Sequence, residues 1–132
     1  MKRLTAMLMV LGLFAAVPAA ATPASDTLLV KYQSDGAGKP DAAKGKQDWT
    51  REEVVDGEKM SCATCHGTDF SKSGKHHRTG KVIEPMSMKV NAERFTDVKK
   101  IEKWFKRNCK DAWGRECTAQ EKADFLTFLL AQ

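Results

Sequence analysis

The chain has 132 residues, with 22 basic and 17 acidic side chains, a formal charge of +5, four cysteines and three histidines. A chain of this length builds one core rather than two, and so small an excess of positive charge excludes a dedicated nucleic-acid binder. Lys2 and Arg3 precede an apolar stretch from Leu4 to Val17 and the small-residue run Ala19-Ala20-Ala21, the pattern of a secretory signal peptide. The stretch is shorter than the roughly 20 residues that span a bilayer. Cleavage after Ala21 is therefore expected, leaving residues 22–132 as one exported domain with 20 basic and 17 acidic side chains, a charge of +3.

Within that domain no strand-like alternation and no internal repeat is visible, so the elements read as helices separated by loops. The first helix starts near Ser25, turns Leu28, Leu29 and Tyr32 inward and stops at Gly36-Ala37-Gly38-Lys39-Pro40. The second is expected from Asp41 to about Glu53, with Trp49 on its buried side. Next comes Cys62-Ala63-Thr64-Cys65-His66. C-x-x-C-H on one helical turn lets two thiols reach the two vinyl groups of a haem and an imidazole reach its iron from the same side. A redox C-x-x-C belongs in a βαβ setting, which is missing, and structural zinc needs two further ligands. Cys62 and Cys65 are thus read as the attachment points of one haem c, and His66 as its axial ligand. Covalent haem attachment takes place outside the cytoplasm, so motif and signal peptide support each other, and the Gram-negative periplasm is the expected compartment.

From Gly67 to Lys81 the chain is polar, with three glycines, and reads as a loop over the haem edge. His76 and His77 lie there between Lys75 and Arg78 and are expected to be exposed. A second loop, Val82 to Phe95, contains Pro85, Met86 and Met88. The next helix has Thr96 as N-cap, Asp97 in its first turn, and Val98, Ile101, Trp104 and Phe105 at helical spacing. At ~100° per residue Asn108 shares the arc of Ile101, Trp104 and Phe105. An amide buried there without a partner costs a few kcal/mol, so it caps the helix end, finds a hydrogen bond or binds something, iron included. Cys109 and Cys117 remain once the haem has taken the other two, and in an oxidising compartment they read as a disulfide. Closing that loop, which contains Trp113 and Gly114, would hold Asn108 in place. The last helix opens with a capping box, Thr118-x-x-Glu121, and turns Ala123, Leu126, Leu129 and Leu130 inward. Basic residues cluster at Lys72, Lys75, Arg78 and Lys81, and again at Lys99, Lys100, Lys103, Lys106 and Arg107. Either cluster suits steering of an acidic redox partner or a plain solvated surface.

Several stretches together resemble one family, the sphaeroides haem protein type of c-type cytochrome. They are Ser61-Cys62-Ala63-Thr64-Cys65-His66-Gly67; Arg78-Thr79-Gly80-Lys81 with Ile83 and Pro85; Arg94-Phe95-Thr96-Asp97; Glu102-Lys103-Trp104 with Arg107-Asn108-Cys109; and Gly114-Arg115-Glu116-Cys117-Thr118 with Glu121-Lys122-Ala123-Asp124. The resemblance covers nearly the whole exported domain. It implies an all-α, class I cytochrome c-like fold wrapped around one covalently attached haem, with Asn108 as second axial ligand to ferric iron and a Cys109–Cys117 disulfide. It also implies binding of small ligands in the reduced state, and electrons received from a dihaem cytochrome c and a membrane cytochrome b.

The sixth ligand separates the functions that remain open. Pro85-Met86 looks like the loop by which ordinary class I cytochromes place a methionine on iron, and Met88 is close by. Such a soft thioether holds both oxidation states and makes a closed electron-transfer site. An Asn108 amide is a harder, weaker ligand, released on reduction so that oxygen or nitric oxide can bind. A terminal oxidase or a scavenger would need turnover besides, and the sequence shows no dedicated acid–base constellation for it.

Overall fold

The computed structural model describes residues 20–132; the expected signal peptide lies, apart from its last two residues, outside them. Thr22 caps helix α1 (Pro23–Ser34), with Ser25 completing a reciprocal capping box and Pro23 in the first turn. The helix thus starts two residues before Ser25, because the Thr22 cap precedes the apolar pattern. Helix α2 (Ala42–Trp49) is capped by Asp41 and stops at Trp49, short of Glu53. The residues after it pair instead, β1 (Glu53–Val55) running antiparallel to β2 (Glu58–Met60). Asp56 and Gly57 at the turn both take positive φ, 53° and 81°, the twist a two-residue hairpin favours. Helix α3 (Cys62–His66) follows, and then a second ribbon of β3 (Gly74–Lys75) with β4 (Val82–Ile83). The long helix α4 (Val98–Trp113) is capped by Asp97 rather than Thr96, whose hydroxyl donates to Glu93 O at 2.8 Å. Helix α5 (Ala119–Leu130) begins at the Thr118–Glu121 capping box. Among the described residues the fold is mostly helical, with two short β-ribbons that the expected all-α reading lacked. Ribbons of two or three residues are too short to leave an alternating pattern.

Helix α5 is the shared wall of the core. Ala123, Leu126 and Leu130 meet Ala24, Leu28 and Tyr32 of α1 and Ile101 of α4. Phe125, Phe128 and Leu129 meet Trp49, Phe70 and Trp113. Burial of side chains this size is worth about 1.5–3 kcal/mol each. At Gly45 of α2, a Cβ would lie 2.2 Å from the backbone oxygen of Asp124, so only glycine lets α2 approach α5 so closely. Asp124, itself buried, accepts from the Asp41 N–H at 2.7 Å and fixes the start of α2 against α5.

Candidate functional site

Helix α3 is held at both ends. Ser61 and Thr64 cap each other across its first turn, and Gly67 ends it at φ 68°, a conformation glycine adopts freely. Trp49 of α2 donates to Gly67 O at 2.8 Å and lays its ring against the His66 imidazole, centroids 5.5 Å apart. The loop over this helix comes close enough that a Cβ at Gly74 would stand 2.2 Å from Cys65 O, and His77 N–H donates to Cys65 Sγ at 3.3 Å.

Opposite His66 stands Asn108. Its Nδ2 lies 3.4 Å from His66 Nε2, and this is the partner of the amide among the described residues. Burial, aided by the nearby Arg94 guanidinium, pushes the imidazole down to about 4, so the ring is neutral at neutral pH. With Nε2 accepting, the ring proton belongs on Nδ1, which is buried and has no hydrogen-bond partner. A neutral imidazole therefore aims its lone pair at the Asn108 side chain. Asn108 lies inside α4, which runs on to Gly114 in left-handed conformation (φ 68°). Gly114, not Asn108, ends the helix, and the helix-capping alternative falls.

Cys62, Cys65, His66 and Asn108 line one cleft together with His76, Ile83 and Asp111. Burial pushes the Cys62 thiol up to about 12, opposite to the lowered pKa of a redox C-x-x-C. Among the described residues no group of three or more His, Cys, Asp or Glu side chains is arranged to hold a metal ion by itself. The donor set suits haem c: two thiols on one turn, a neutral imidazole between them and the core, and an oxygen-bearing side chain facing it.

Met86 packs against the aromatic cluster of Trp49 and Phe70, Met88 against the other cluster, and neither lines the cleft. Arg94 pins their loop through its carbonyls, donating to Pro85 O at 2.8 Å and also to Glu84 O. Cys109 and Cys117 are joined, Cα atoms 5.6 Å apart. His77 is exposed and pairs with Glu58 at 2.9 Å. His76, expected to be exposed, is half-buried on the cleft wall: it accepts from Thr79 N–H through Nδ1 and turns Nε2 to within 3.8 Å of Asp111. Sequence reading missed this pair; Asp111, one turn beyond Asn108 on α4, was the available signal. Trp104, expected inward, is 47% exposed, since Ile101, Phe105, Cys109 and Ala112 centre the buried arc of α4 to one side of it.

A C-x-x-C-H helix presenting a neutral imidazole to an opposed side chain, on a mostly helical fold, defines a c-type cytochrome. Residues 35–129 match the family described as a domain of unknown function, DUF1924. Cytochrome c-type protein SHP of Cereibacter sphaeroides is 39% identical over 126 residues, which cover 94% of this chain and 97% of that protein. A structure of oxidised SHP, described as an oxygen-binding cytochrome c, superimposes with a TM-score of 0.74 at 38% identity, covering 82% of this chain and 96% of that one. The solution structure of Methylophilus methylotrophus cytochrome c'', described as bearing on the structural basis of haem-ligand detachment, gives 0.68 at 34% identity over 82% and 93%. This chain belongs to the SHP family of c-type cytochromes, and its cofactor is covalently bound haem c.

Proposed function

We propose that residues 22–132, exported to the periplasm after removal of residues 1–21, form a class I cytochrome c-like domain that works as a redox-gated, ligand-binding haem protein. Cys62 and Cys65 hold the haem, His66 stays on the iron in both oxidation states, and Asn108 binds it in the ferric state alone. The observation that carries this reading is the 3.4 Å approach of the Asn108 amide to His66 Nε2, with neither Met86 nor Met88 lining the cleft. A haem held by Cys62, Cys65 and His66 would supply a redox-active iron. A carboxamide oxygen is a hard, weak donor that suits the ferric ion better than the softer ferrous one. Asn108 would accordingly let go on reduction, and its freed N–H could then donate to a diatomic ligand such as oxygen or nitric oxide. Support comes from the relatives, one an oxygen-binding cytochrome c and the other a protein with haem-ligand detachment. A dihaem cytochrome c and a membrane cytochrome b are the proposed electron donors.

Absorption spectra of the purified holoprotein test this, ferric and then reduced, with carbon monoxide added to the reduced form. The expected result is a low-spin ferric spectrum that turns high-spin on reduction and binds carbon monoxide at once. A reduced form that stays low-spin and ignores carbon monoxide would put methionine on the iron and make the protein a simple electron carrier.

A further inference from the structure

The two basic clusters look alike in sequence and differ in the fold. In the loop cluster, Arg78 pairs with Asp56 at 2.9 Å and Lys72 with Asp69 at 3.2 Å, and the neighbouring His77 meets Glu58, which leaves Lys75 and Lys81 as the two of its four cations without an acidic partner among the described residues. On α4, Lys99, Lys100, Lys103, Lys106, Arg107 and Lys110 are all exposed. Of these six, only Lys110 has an acidic partner among the described residues, Glu116 at 3.4 Å. At 100° per residue all six fall within an arc of about 120° and a length of about 16 Å. The acidic residues of α4 lie outside the arc: Glu102 accepts from Tyr32 and faces Lys122, and Asp111 faces His76. Trp104 borders the strip, and the cations of Lys103 and Arg107 sit 5.6 and 5.7 Å from its ring, which holds them in place. Asn108 comes one turn after Trp104 on the same helix.

From this strip we infer that the outer face of α4 is the docking surface for an acidic electron-carrier protein. The proposal rests on the redox role given above, not on which residue is the sixth ligand. Charge complementarity selects the partner: a row of six cations, five of them without an acidic partner among the described residues, needs a row of carboxylates to neutralise it. A narrow strip matches the small, transient contacts of redox encounters, whereas a membrane surface rewards a broad apolar face inserted beside the cations. The exchange is a single electron: the docked donor is oxidised by one equivalent and ferric iron is reduced, with no bond formed between the two proteins.

The probe is flavodoxin, an acidic flavoprotein whose hydroquinone gives up one electron to become the semiquinone. Stopped-flow reduction of the ferric holoprotein is compared for the native chain, Lys103→Glu/Lys106→Glu on α4, and Lys75→Glu/Lys81→Glu in the loop, two variants of equal net charge. At low ionic strength the α4 variant is expected to react at least about tenfold more slowly, with a flattened salt dependence, and the loop variant to change less than about threefold. Titration with oxidised flavodoxin, followed by NMR line broadening, should show binding lost in the α4 variant alone, whatever the redox chemistry. Equal losses in both variants would reduce the effect to net charge and overturn the proposal. So would unchanged flavodoxin binding in an α4 variant that no longer binds phosphatidylglycerol vesicles, which would make the face a membrane surface. Neutral lumiflavin semiquinone should reduce all three proteins equally. Its failure with the native chain would instead refute the redox reading, while the titration still reports docking.

Discussion

His66 suits the ligand role proposed for it by virtue of its surroundings. The Trp49 ring, the capped α3 turn and the Gly67 carbonyl fix its plane, and loss of water keeps it neutral. Asn108 has the reverse character: half-buried, it meets no hydrogen-bond partner among the described residues except that imidazole. A side chain held by one weak contact is easily released. Asn108→Ala should therefore convert the ferric holoprotein from low-spin to high-spin while the reduced form binds carbon monoxide as before, both read from absorption spectra. An unchanged ferric spectrum would take Asn108 off the iron. The C-x-x-C-H residues were legible because their chemistry fixes their spacing. The identity of their opposite was not legible from periodicity, which put Trp104 and Asn108 on one stripe and could not tell which faced the cleft.

At the level of elements, the contact of α2 with α5 depends on one missing methyl group. Gly45→Ala would push a Cβ into the Asp124 carbonyl and the Phe128 Cβ and should cost about 3 kcal/mol in a denaturant melt. The start of α5 depends on charge. Glu121 accepts from Thr118 N–H at 2.8 Å and from both ends of the Arg115 guanidinium at 2.7 and 2.8 Å. Burial alone would raise its pKa; Arg115, the Thr118 N–H and Arg51 outweigh it and bring the carboxyl down from 4.5 to about 2. The unfolded chain thus takes up a proton near pH 4.5 that the folded chain refuses until about 2. The stabilisation is complete above pH 4.5 and is lost as pH falls toward 2. Glu121→Gln should be less stable than the native chain at pH 6, with the two urea-unfolding curves converging by pH 2. Parallel curves would assign the cap another source. The cap at Thr118 and the start of α2 near Asp41 were readable in sequence; the stop of α2 at Trp49 was not, because it follows from the pairing of Glu53–Val55 with Glu58–Met60 across a turn.

Across the whole molecule, the Cys109–Cys117 bridge joins the end of α4 to the start of α5 and thereby ties the Asn108 helix to the wall that supports Trp49. Replacing both cysteines with serine should lower stability by about 2–3 kcal/mol and weaken the ferric sixth bond, seen as a growing high-spin fraction on mild warming. An unchanged spectrum would confine the bridge to stability. The sequence by itself determined the C-x-x-C-H turn proposed to hold the haem, the disulfide and the inward face of α5, since each is set by local spacing: two thiols and an imidazole on one turn, two spare cysteines, apolar residues at period 3.6. Only the tertiary structure decided what stands opposite His66, which of two similar basic clusters keeps more of its cations without acidic partners, and that His76 and Asp111 line the cleft. Those outcomes depend on pairings across 42 residues, as between Asn108 and His66, or on acidic partners brought in from another element, and no local pattern records which distant side chain will arrive.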